Sequence, residues 1–306
     1  MARTSYALDG VVLGEESTYG TLASSFTDTI GFINNIDVNV NDDVRQMRHI
    51  VGGTDGALVQ RNVDLLHTVD GTIETYPTDW IPLKFLLGDY AATTTYTINP
   101  SSTVTSLSIK GNYDGTDALQ IVGLVLTKGT INLREGEPVT INYDYIAKKE
   151  SSITAAITGT APSEDPLTFL QGSLTVNSKN YKINTMTLPM DFAAIGRRNV
   201  EAVSADDERV ITEVIKKNFT VSFNINADLQ DIDDEYDEYT GGTTVQAARS
   251  DFSIVGTFVD SSGDSHDFTM TGCRGTTFKK GYRTDGEVKN FDFNGVAIDV
   301  QFTGDV

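Results

Sequence analysis

The chain has 306 residues, of which 39% are hydrophobic, so it is long enough for one large β domain or two small ones. Its 43 acidic and 23 basic residues give a formal net charge of −20, which argues against broad binding to nucleic acid or to an anionic membrane. The single cysteine, Cys273, excludes an intrachain disulfide and a zinc site made of cysteines.

The N-terminal segment at residues 11–21 reads Val-Val-Leu-Gly-Glu-Glu-Ser-Thr-Tyr-Gly-Thr and carries no catalytic pattern. The residues before it lack the apolar core of a signal peptide. No apolar run in the chain approaches the roughly 20 residues that span a bilayer. These features predict a protein that is made and assembled inside a cell, with no membrane partner.

Residues 41–61 form a basic segment within an acidic chain. Arg45, Arg48 and Arg61 lie there beside the apolar residues Met47 and Ile50. Three glycines between positions 52 and 56 give the backbone unusual freedom. We therefore predict an extended loop over residues 41–61.

Only one segment predicts a helix. Thr78 and Asp79 offer an N-cap, the residues from Trp80 to Leu87 are apolar almost all round, and Gly88 is typical of a C-terminal stop. A helix without a polar face is expected to be buried. Residues 206–217 are equally consistent with a helix and a strand, and both alternatives stay open.

Period-two alternation of apolar and polar residues recurs along the chain and predicts strands. The sequences Val-Thr-Ile-Asn-Tyr-Asp-Tyr at 139–145 and Phe-Thr-Val-Ser-Phe-Asn-Ile at 219–225 show it most clearly. Turn-forming residues at 178–180 and 261–264 predict hairpins. No fixed-period repeat is evident.

The last predicted strand changes phase between residues 293 and 296. A bulge at Asn294-Gly295 is expected to correct this and to bring six apolar residues onto one face. These residues are Phe291, Phe293, Val296, Ile298, Val300 and Phe302.

The densest acidic run, residues 228–238, predicts a solvated loop. Its carboxylates are spaced closely enough for Ca²⁺ or Mg²⁺, but it lacks the glycine and the distal glutamate of an EF-hand loop. His49, His67 and His266 are far apart in the sequence, and no G-x-S-x-G pattern marks a nucleophile. We expect no metal, no cofactor and no enzymatic activity.

Several segments resemble the tail tube proteins of tailed viruses, which infect bacteria or archaea, and they follow that family's chain order over most of the length. Gly-Glu-Glu-Ser-Thr-Tyr-Gly-Thr at 14–21 resembles the N-terminal arm, where Glu16, Ser17 and Tyr19 match the shared pattern. Residues 69–76 resemble the strand before the family's helix. Leu-Lys-Phe-Leu-Leu-Gly at 83–88 resembles that helix, which plugs the open end of a β-sandwich. Residues 122–127 and 135–140 resemble the mid-chain hairpin.

The resemblance implies a mainly-β fold, a tail-tube-type β-sandwich or barrel with one short buried helix, whose strands pair between subunits. It implies a single tail tube domain over residues 1–306, with an N-terminal arm at 1–22. Such proteins form six-fold rings in which four strands from each subunit line a channel. The rings stack into a hollow tail tube that conducts DNA during infection.

The implied partners are further copies of the chain, in homohexameric rings, and other tail proteins: the tape measure, the tail terminator, and the baseplate or tip. DNA would pass through the lumen without specific binding. The implied location is the virion tail, after assembly in the host cytoplasm.

The resemblance also suggests contacts between rings. Segment 41–61 resembles the position of the long hairpin that reaches between rings in tube proteins. Arg45, Met47, Arg48, Ile50 and Arg61 are therefore candidates for inter-ring contacts, and an acidic patch such as residues 231–238 is one candidate partner. The alternative is a loop that makes all of its contacts within its own subunit.

Acidic residues on predicted strands are candidates for the channel surface. Asp64, Asp70 and Glu74 share strand parity, and Asp144 lies on another strand beside Asn142. Facing the lumen, these acids would repel DNA phosphates. The alternative is a solvated outer face. The acid excess of the whole chain fits DNA repulsion, a halophilic source or ordinary solubility.

Two other functions stay open at this point. One is a fibre or surface-layer type β-domain that binds a receptor or a carbohydrate. The other is a hydrolase on a β scaffold, which no sequence motif supports.

Overall fold

The computed structural model describes residues 10–27, 30–50, 58–112, 117–154, 164–168, 172–177, 179–181, 183–198, 209–228, 251–280 and 290–305. It is mainly β, with one short helix, which confirms the predicted fold class. The elements in chain order are β1 Gly10–Glu15, β2 Phe32–Ile50, β3 Leu58–Tyr76, the 3-10 turn Ile81–Leu83, α1 Lys84–Leu87, β4 Gly88–Ala92, β5 Thr95–Pro100, β6 Leu107–Asn112, β7 Asp117–Arg134, β8 Thr140–Ala147, β9 Lys149–Thr154, β10 Gly172–Val176, β11 Lys179–Asn180, β12 Ile183–Asp191, β13 Ile195–Arg197, β14 Glu213–Ile215, β15 Thr220–Asp228, β16 Phe252–Val259, β17 Ser265–Lys280, β18 Asn290–Ala297 and β19 Asp299–Asp305.

Three antiparallel sheets share two long strands. The large sheet has the order β2-β3-β8-β7-β12-β15-β18-β17. The N-terminal sheet has the order β1-β6-β7-β9. The C-terminal sheet has the order β4-β5-β19-β17-β16-β10-β11. Strands β7 and β17 each begin in a smaller sheet and end in the large one.

Both shared strands bend at a glycine in the left-handed region. Gly123 in β7 has a φ of 66°, and Gly272 in β17 has a φ of 63°. Most residues avoid this conformation because of their Cβ atom. Each glycine is followed four residues later by a bulged threonine, Thr127 or Thr276, at which the register with the next strand shifts. These devices let one chain segment serve two sheets.

The predicted helix is confirmed as a single buried turn. Asp79 accepts a hydrogen bond from the N–H of Ile81 at 2.7 Å, and Gly88 ends α1 in the left-handed conformation with a φ of 90°. Trp80 is fully buried, and its ring packs 5.5 Å from that of Phe258 in the C-terminal sheet. The turn therefore lies between the large sheet and the C-terminal sheet.

A buried lysine completes the end of the helical turn. The ammonium group of Lys216, which follows β14, donates a hydrogen bond to the carbonyl of Leu86. It also lies 4.6 Å from the centre of the Phe192 ring. Burial lowers the pKa of Lys216 to about 8. The segment at 206–217, for which helix and strand were both open, thus contains strand β14 in its described part.

The sequence shows no fixed-period repeat, but the described strands form two units of equivalent topology. The large sheet consists of two four-stranded units, β2-β3-β8-β7 and β12-β15-β18-β17, whose strands follow one another in the same order. The smaller sheets match as well, because β1-β6-β7-β9 has the same arrangement as β10-β16-β17-β19. Each half of the chain therefore supplies one unit.

Irregular features recur in both units about 150 positions apart. Thr127 donates its hydroxyl to the carbonyl of Asp144, and Thr276 does the same to Asn294, at 3.1 and 3.2 Å. The N–H of Lys148 bonds the carbonyl of Val122, as that of Ile298 bonds Thr271. These equivalences extend the match from topology to individual hydrogen bonds.

Two predictions about hairpins and bulges need correction. The turn predicted at 178–180 overlaps strand β11, Lys179–Asn180, which pairs with β10 over only two residues, and β12 then enters the large sheet. The last strand keeps its register past Asn294 and Gly295, so Val296 and Ile298 are 48% and 74% exposed. The phase changes instead at Ile298, where the chain passes from the large sheet into the C-terminal sheet.

The long loop predicted at 41–61 is a hairpin over its described length. Strands β2 and β3 pair continuously out to Ile50 and Leu58, apart from two register shifts, and the tip at 51–57 lies outside the described residues. In the described part of the chain, no helix is long and apolar enough to cross a membrane.

Candidate functional site

One face of the large sheet is polar across all eight strands. Cross-strand pairs place their side chains on the same face, so the register identifies its members. Of the described residues, this polar face includes Asn35, Asp37, Asn39 and Asn41 of β2, Asp70, Thr72 and Glu74 of β3, Asn142 and Asp144 of β8, Lys128, Thr130 and Asn132 of β7, Thr185, Thr187 and Asp191 of β12, Ser222, Asn224 and Asn226 of β15, Asp292 and Asn294 of β18, and Thr277 and Lys279 of β17.

The opposite face of the same strands is the core. Ile73, Tyr143, Leu188, Phe223 and Phe293 alternate with the polar residues and are at most 3% exposed. This separation fixes the register, because a slip by one residue would exchange the two faces. The polar face is therefore a stable, continuous surface.

Hydrogen bonds between neighbouring strands order the polar face. Asn224 donates to the hydroxyl of Thr187 at 3.0 Å, and Asn226 donates to Asp292 at 2.7 Å. Lys128 pairs with Asp191 at 3.5 Å across β7 and β12. Amide and hydroxyl groups thus satisfy one another and leave a surface on which acidic and basic groups are both present.

Two asparagines that were missed from the sequence hold equivalent positions at the end of this face. Asn34 and Asn184 are bulged residues at which the first two strands of each unit shift register. Asn34 donates to the carboxylate of Glu74, and Asn184 donates to the amide oxygen of Asn226 at 3.1 Å. The shared Ile-Asn dipeptide at 33–34 and 183–184 is the only sequence signal for this match.

Three of the four acids predicted to line a channel lie on the polar face. Glu74 pairs with Asn142, and Asp144 pairs with Thr72, which lies between Asp70 and Glu74. The fourth, Asp64, pairs with Val44 beyond a register shift, so strand parity no longer relates it to the other three. Its side chain lies outside the described residues.

The large sheet has two outer edges. Among the described strands, β2 pairs only with β3, and the second half of β17 pairs only with β18. An unpaired edge strand presents N–H and C=O groups in a row and is a template for another strand. Strands β2 and β17 are thus the surfaces through which the large sheet can extend.

The N-terminal segment is built around the buried carboxylate of Glu16. It accepts hydrogen bonds from the hydroxyl of Ser108 and from the N–H groups of Gly20 and Gly123, each at 2.7 Å. Because Gly123 is the bend of β7, this carboxylate ties the N-terminal segment to the point where the chain leaves one sheet for another. Ser17 is exposed and takes no part in these bonds.

Tyr19 closes the same bend. A Cβ atom on Gly123 would lie 3.2 Å from the ring of Tyr19 and 2.6 Å from the Cβ of Lys148. Burial, and then the nearby Glu16 carboxylate, raise the pKa of Tyr19 well above its usual value. In the described fold, Glu16 and Tyr19 therefore stabilise their own subunit.

The base of the β2–β3 hairpin carries a small ion-pair cluster. The carboxylate of Asp42 contacts His67 at 3.0 Å and Arg209 at 2.8 Å. The hydrogen bond with His67, supported by the charges of His67 and Arg209, holds the pKa of Asp42 below its usual range. The N–H of His67 also bonds the carbonyl of Arg209, so this cluster anchors the hairpin to the body.

The candidates for inter-ring contacts lie on the outer part of the hairpin. The backbones of Arg45 and Met47 pair with β3, as those of Arg48 and Ile50 do, and Arg61 is the partner of Met47. The side chains of all five lie outside the described residues, as do the acidic residues 229–238. Their proposed roles stay predictions.

A buried chain of hydrogen bonds resembles a catalytic relay but serves the core. Asp260 contacts Nε2 of His266 at 3.3 Å, Nδ1 of His266 lies 2.9 Å from the hydroxyl of Tyr96, and that hydroxyl accepts the N–H of Trp80 at 3.1 Å. Tyr96 is fully buried and His266 is 3% exposed. The chain ends on backbone at the start of the helical turn, which it holds in place.

Comparison with known proteins agrees with this architecture. The family model described as phage tail tube protein matches residues 9–266, which is most of the chain. No curated protein matches it. The match begins beside the segment organised by Glu16 and includes six of the eight strands of the polar face, all but β17 and β18. The chain belongs to the phage tail tube protein family, and so is a structural component of a virus tail.

Proposed function

We propose that copies of this chain close into rings that stack into a hollow tube and that this tube conducts DNA during infection. The polar face carries the proposal, because it runs without interruption across eight strands and ends at two edges that offer pairing. Closing such a sheet into a barrel removes both edges. The family match supports this function over a fibre or surface-layer role.

The polar face would then be the inner wall of the channel. Closely spaced hydroxyl and amide groups bond one another, and acids such as Asp70, Glu74 and Asp144 stand among them. Negative charges in the wall repel phosphates, so DNA would slide past without binding. A structural, non-enzymatic protein assembled in the host cytoplasm fits this role.

The β2–β3 hairpin would join stacked rings. It extends from the body as a paired ladder, and its outer part carries Arg45, Arg48 and Arg61 in a chain with a net charge of −20. A basic hairpin is attracted electrostatically to almost any face of an acidic neighbouring copy. Tail proteins at either end of the tube would meet the same ring faces.

The test is assembly followed by labelling of the channel. The purified chain is expected to form hollow tubes by negative-stain electron microscopy. Thr72, exposed on the polar face, is replaced by cysteine and coupled to a small gold cluster before assembly, and density is expected inside the channel. The matched control is Ser261→Cys in the exposed turn of the C-terminal sheet, for which gold is expected outside.

Two results would contradict the proposal. A chain that stays monomeric at every protein and salt concentration would show that it does not assemble into a tube. Gold from Thr72→Cys on the outer surface of intact tubes would show that the polar face does not line the channel.

A further inference from the structure

The two four-stranded units meet at a seam inside the chain. Strand β7, the last of the first unit, pairs with β12, the first of the second unit, over seven residue pairs from Arg134–Thr185 to Lys128–Asp191. The strand equivalent to β7 is β17, and the strand equivalent to β12 is β2. The two open edges of the large sheet are therefore the two halves of a second seam of the same kind.

We infer that three copies of this chain close the ring, with β17 of one copy pairing with β2 of the next in the register of the internal seam. This inference rests on the proposed tube. It adds to the proposed tube the surface through which the copies contact one another and the number of copies in a ring. The six-fold order implied by the family resemblance is kept, since each chain supplies two four-stranded units.

The strand directions allow this closure. All neighbours in the large sheet are antiparallel, and the sheet has an even number of strands, so β2 and β17 run in opposite senses. Rotation about the ring axis preserves the direction of every strand along that axis. A β17–β2 contact between copies is then antiparallel, as the β7–β12 contact is.

The internal seam also gives the register. Lys128 corresponds to Thr277, because each follows the bulged threonine, and Asp191 corresponds to Asn41, because Asn184 corresponds to Asn34. The expected pairs between copies are Thr277 with Asn41, Phe278 with Val40, and Lys279 with Asn39. The first and third of these lie on the polar face.

This register accounts for an exposed apolar residue. Val40 is 44% exposed, whereas its equivalent in the internal seam, Met190, is 1% exposed. In the register above, Val40 of one copy meets Phe278 of the next, whose ring packs against Phe291 and Phe293 of its own core. Ring closure would cover Val40 as the internal seam covers Met190.

The number of copies sets the size of the barrel. With strands about 4.8 Å apart and tilted by about 40°, 24 strands form a barrel about 48 Å across, and 48 strands form one about 96 Å across. Three chains supply the smaller number and six the larger. The smaller barrel has the 24 strands that the family resemblance implies.

Disulfide trapping tests the seam and counts the chains. Asn41 and Thr277 are both exposed, so replacing each with cysteine leaves the core intact. Directly opposed strand residues have Cβ atoms about 5 Å apart, close enough for a disulfide after small adjustments. The native Cys273 does not interfere, because burial raises the pKa of its thiol to about 12. The control pair, Asn35→Cys with Thr277→Cys, lies on the same face but six residues out of register.

Oxidised tubes of Asn41→Cys/Thr277→Cys are expected to give a ladder in denaturing gels that stops at three chains, with no ladder from the control pair. A ladder that stops at six chains overturns the count. Tubes that do not cross-link, or that cross-link equally in the control, overturn the seam. Failure to form any ring or tube would instead contradict the proposed function itself.

A second variant probes the seam without cysteines. Val40→Arg places a charge where Phe278 of the next copy is expected, so ring formation should fall at least tenfold while the monomer stays folded. The matched control is Val259→Arg, because Val259 is 38% exposed in the C-terminal sheet and away from both edges. Equal assembly of the two variants would count against a seam at Val40.

Discussion

At the scale of single residues, the segment at 11–21 shows how a motif without catalytic residues can have a defined structural role. Glu16 collects three hydrogen bonds from parts of the chain that are far apart in sequence: Gly20, Ser108 and Gly123. A buried carboxylate needs such donors, since burial without them is costly. The donors in turn need the carboxylate, so removing it leaves several buried N–H and O–H groups without an acceptor.

We expect Glu16→Gln to lower the free energy of unfolding by about 1–3 kcal/mol, because the amide NH₂ must face at least one N–H or O–H donor. The measurement is urea unfolding at neutral pH and low protein concentration. The control is Ser17→Ala, an exposed neighbour, which should change the midpoint little. Equal stability of Glu16→Gln and the parent would show that the carboxylate does not hold this bend.

Lys216 gives a second prediction at this scale. Burial lowers its pKa from an ordinary 10.5 to about 8. Between these two pH values the unfolded chain binds a proton that the folded chain has released, so stability should rise with pH. The rise from this group alone amounts to about 3 kcal/mol at 1.36 kcal/mol per pKa unit.

The comparison of Lys216→Met with the exposed neighbour Lys217→Met isolates this effect. Only Lys216→Met should flatten the rise in stability between pH 8 and pH 10.5, because other titrating groups are common to both variants. The readout is the unfolding free energy at a series of pH values. Parallel curves for the two variants would rule out a lowered pKa at Lys216.

At the scale of elements, the two bent strands set the architecture. Gly123 and Gly272 have nearly the same φ and mark equivalent bends, but their surroundings differ. A Cβ on Gly123 would meet the Cβ of Lys148 at 2.6 Å and the backbone of Gly20 at 3.3 Å, whereas one on Gly272 would meet the side chain of Ile298, with Cδ1 at 2.6 Å and Cβ at 2.9 Å. A side-chain end moves more easily than backbone.

This difference predicts an order of destabilisation for alanine substitutions. Gly136 also has a positive φ, 77°, but open space around it, so Gly136→Ala should show the backbone cost alone, about 1 kcal/mol. Gly272→Ala should cost more, and Gly123→Ala the most, about 3 kcal/mol or above. Thermal unfolding of the three variants checks the order. A smaller effect at Gly123 than at Gly136 would contradict it.

Much of the fold follows from sequence at the level of single strands and the helix. Alternation correctly predicted the strands around Tyr143 and Phe223 and put Asp70 and Glu74 on one face. It could not show that Asp144 shares that face, because alternation gives the period of a strand and not its neighbours. The burial of the helical turn followed from its apolar surface.

The duplication of the two units could not be recognised from the sequence, and the reason is physical. The residues that define it are single bulges and bends, such as Asn34 with Asn184 and Thr127 with Thr276, spread one to a strand. Between them, any apolar residue fills the core and any polar residue suits the polar face. Even the closest pair, Ile-Asn-Tyr-Asp-Tyr-Ile-Ala at 141–147 and Phe-Asp-Phe-Asn-Gly-Val-Ala at 291–297, shares mainly this alternation.

At the scale of the whole molecule, assembly must overcome the net charge. Each copy carries −20, so neighbours in a ring repel one another over distances set by the Debye length, about 10 Å at 0.1 M salt and 3 Å at 1 M. Individual ion pairs at an edge, such as one made by Lys279, are worth at most about 1 kcal/mol at an exposed site. We therefore expect repulsion between whole copies to exceed the attraction of single ion pairs at the edges.

We expect the lowest protein concentration that yields tubes to fall several-fold between 0.05 and 0.5 M sodium chloride, because screening removes repulsion faster than it weakens edge contacts. Light scattering across a concentration series gives this value. Salts that screen equally but differ in salting-out strength, such as chloride and perchlorate at the same ionic strength, separate charge screening from stronger apolar contacts. Similar curves in both salts attribute the effect to charge. A threshold that rises with salt would mean that attraction between oppositely charged surfaces, and not strand pairing against a repulsive background, holds the copies together.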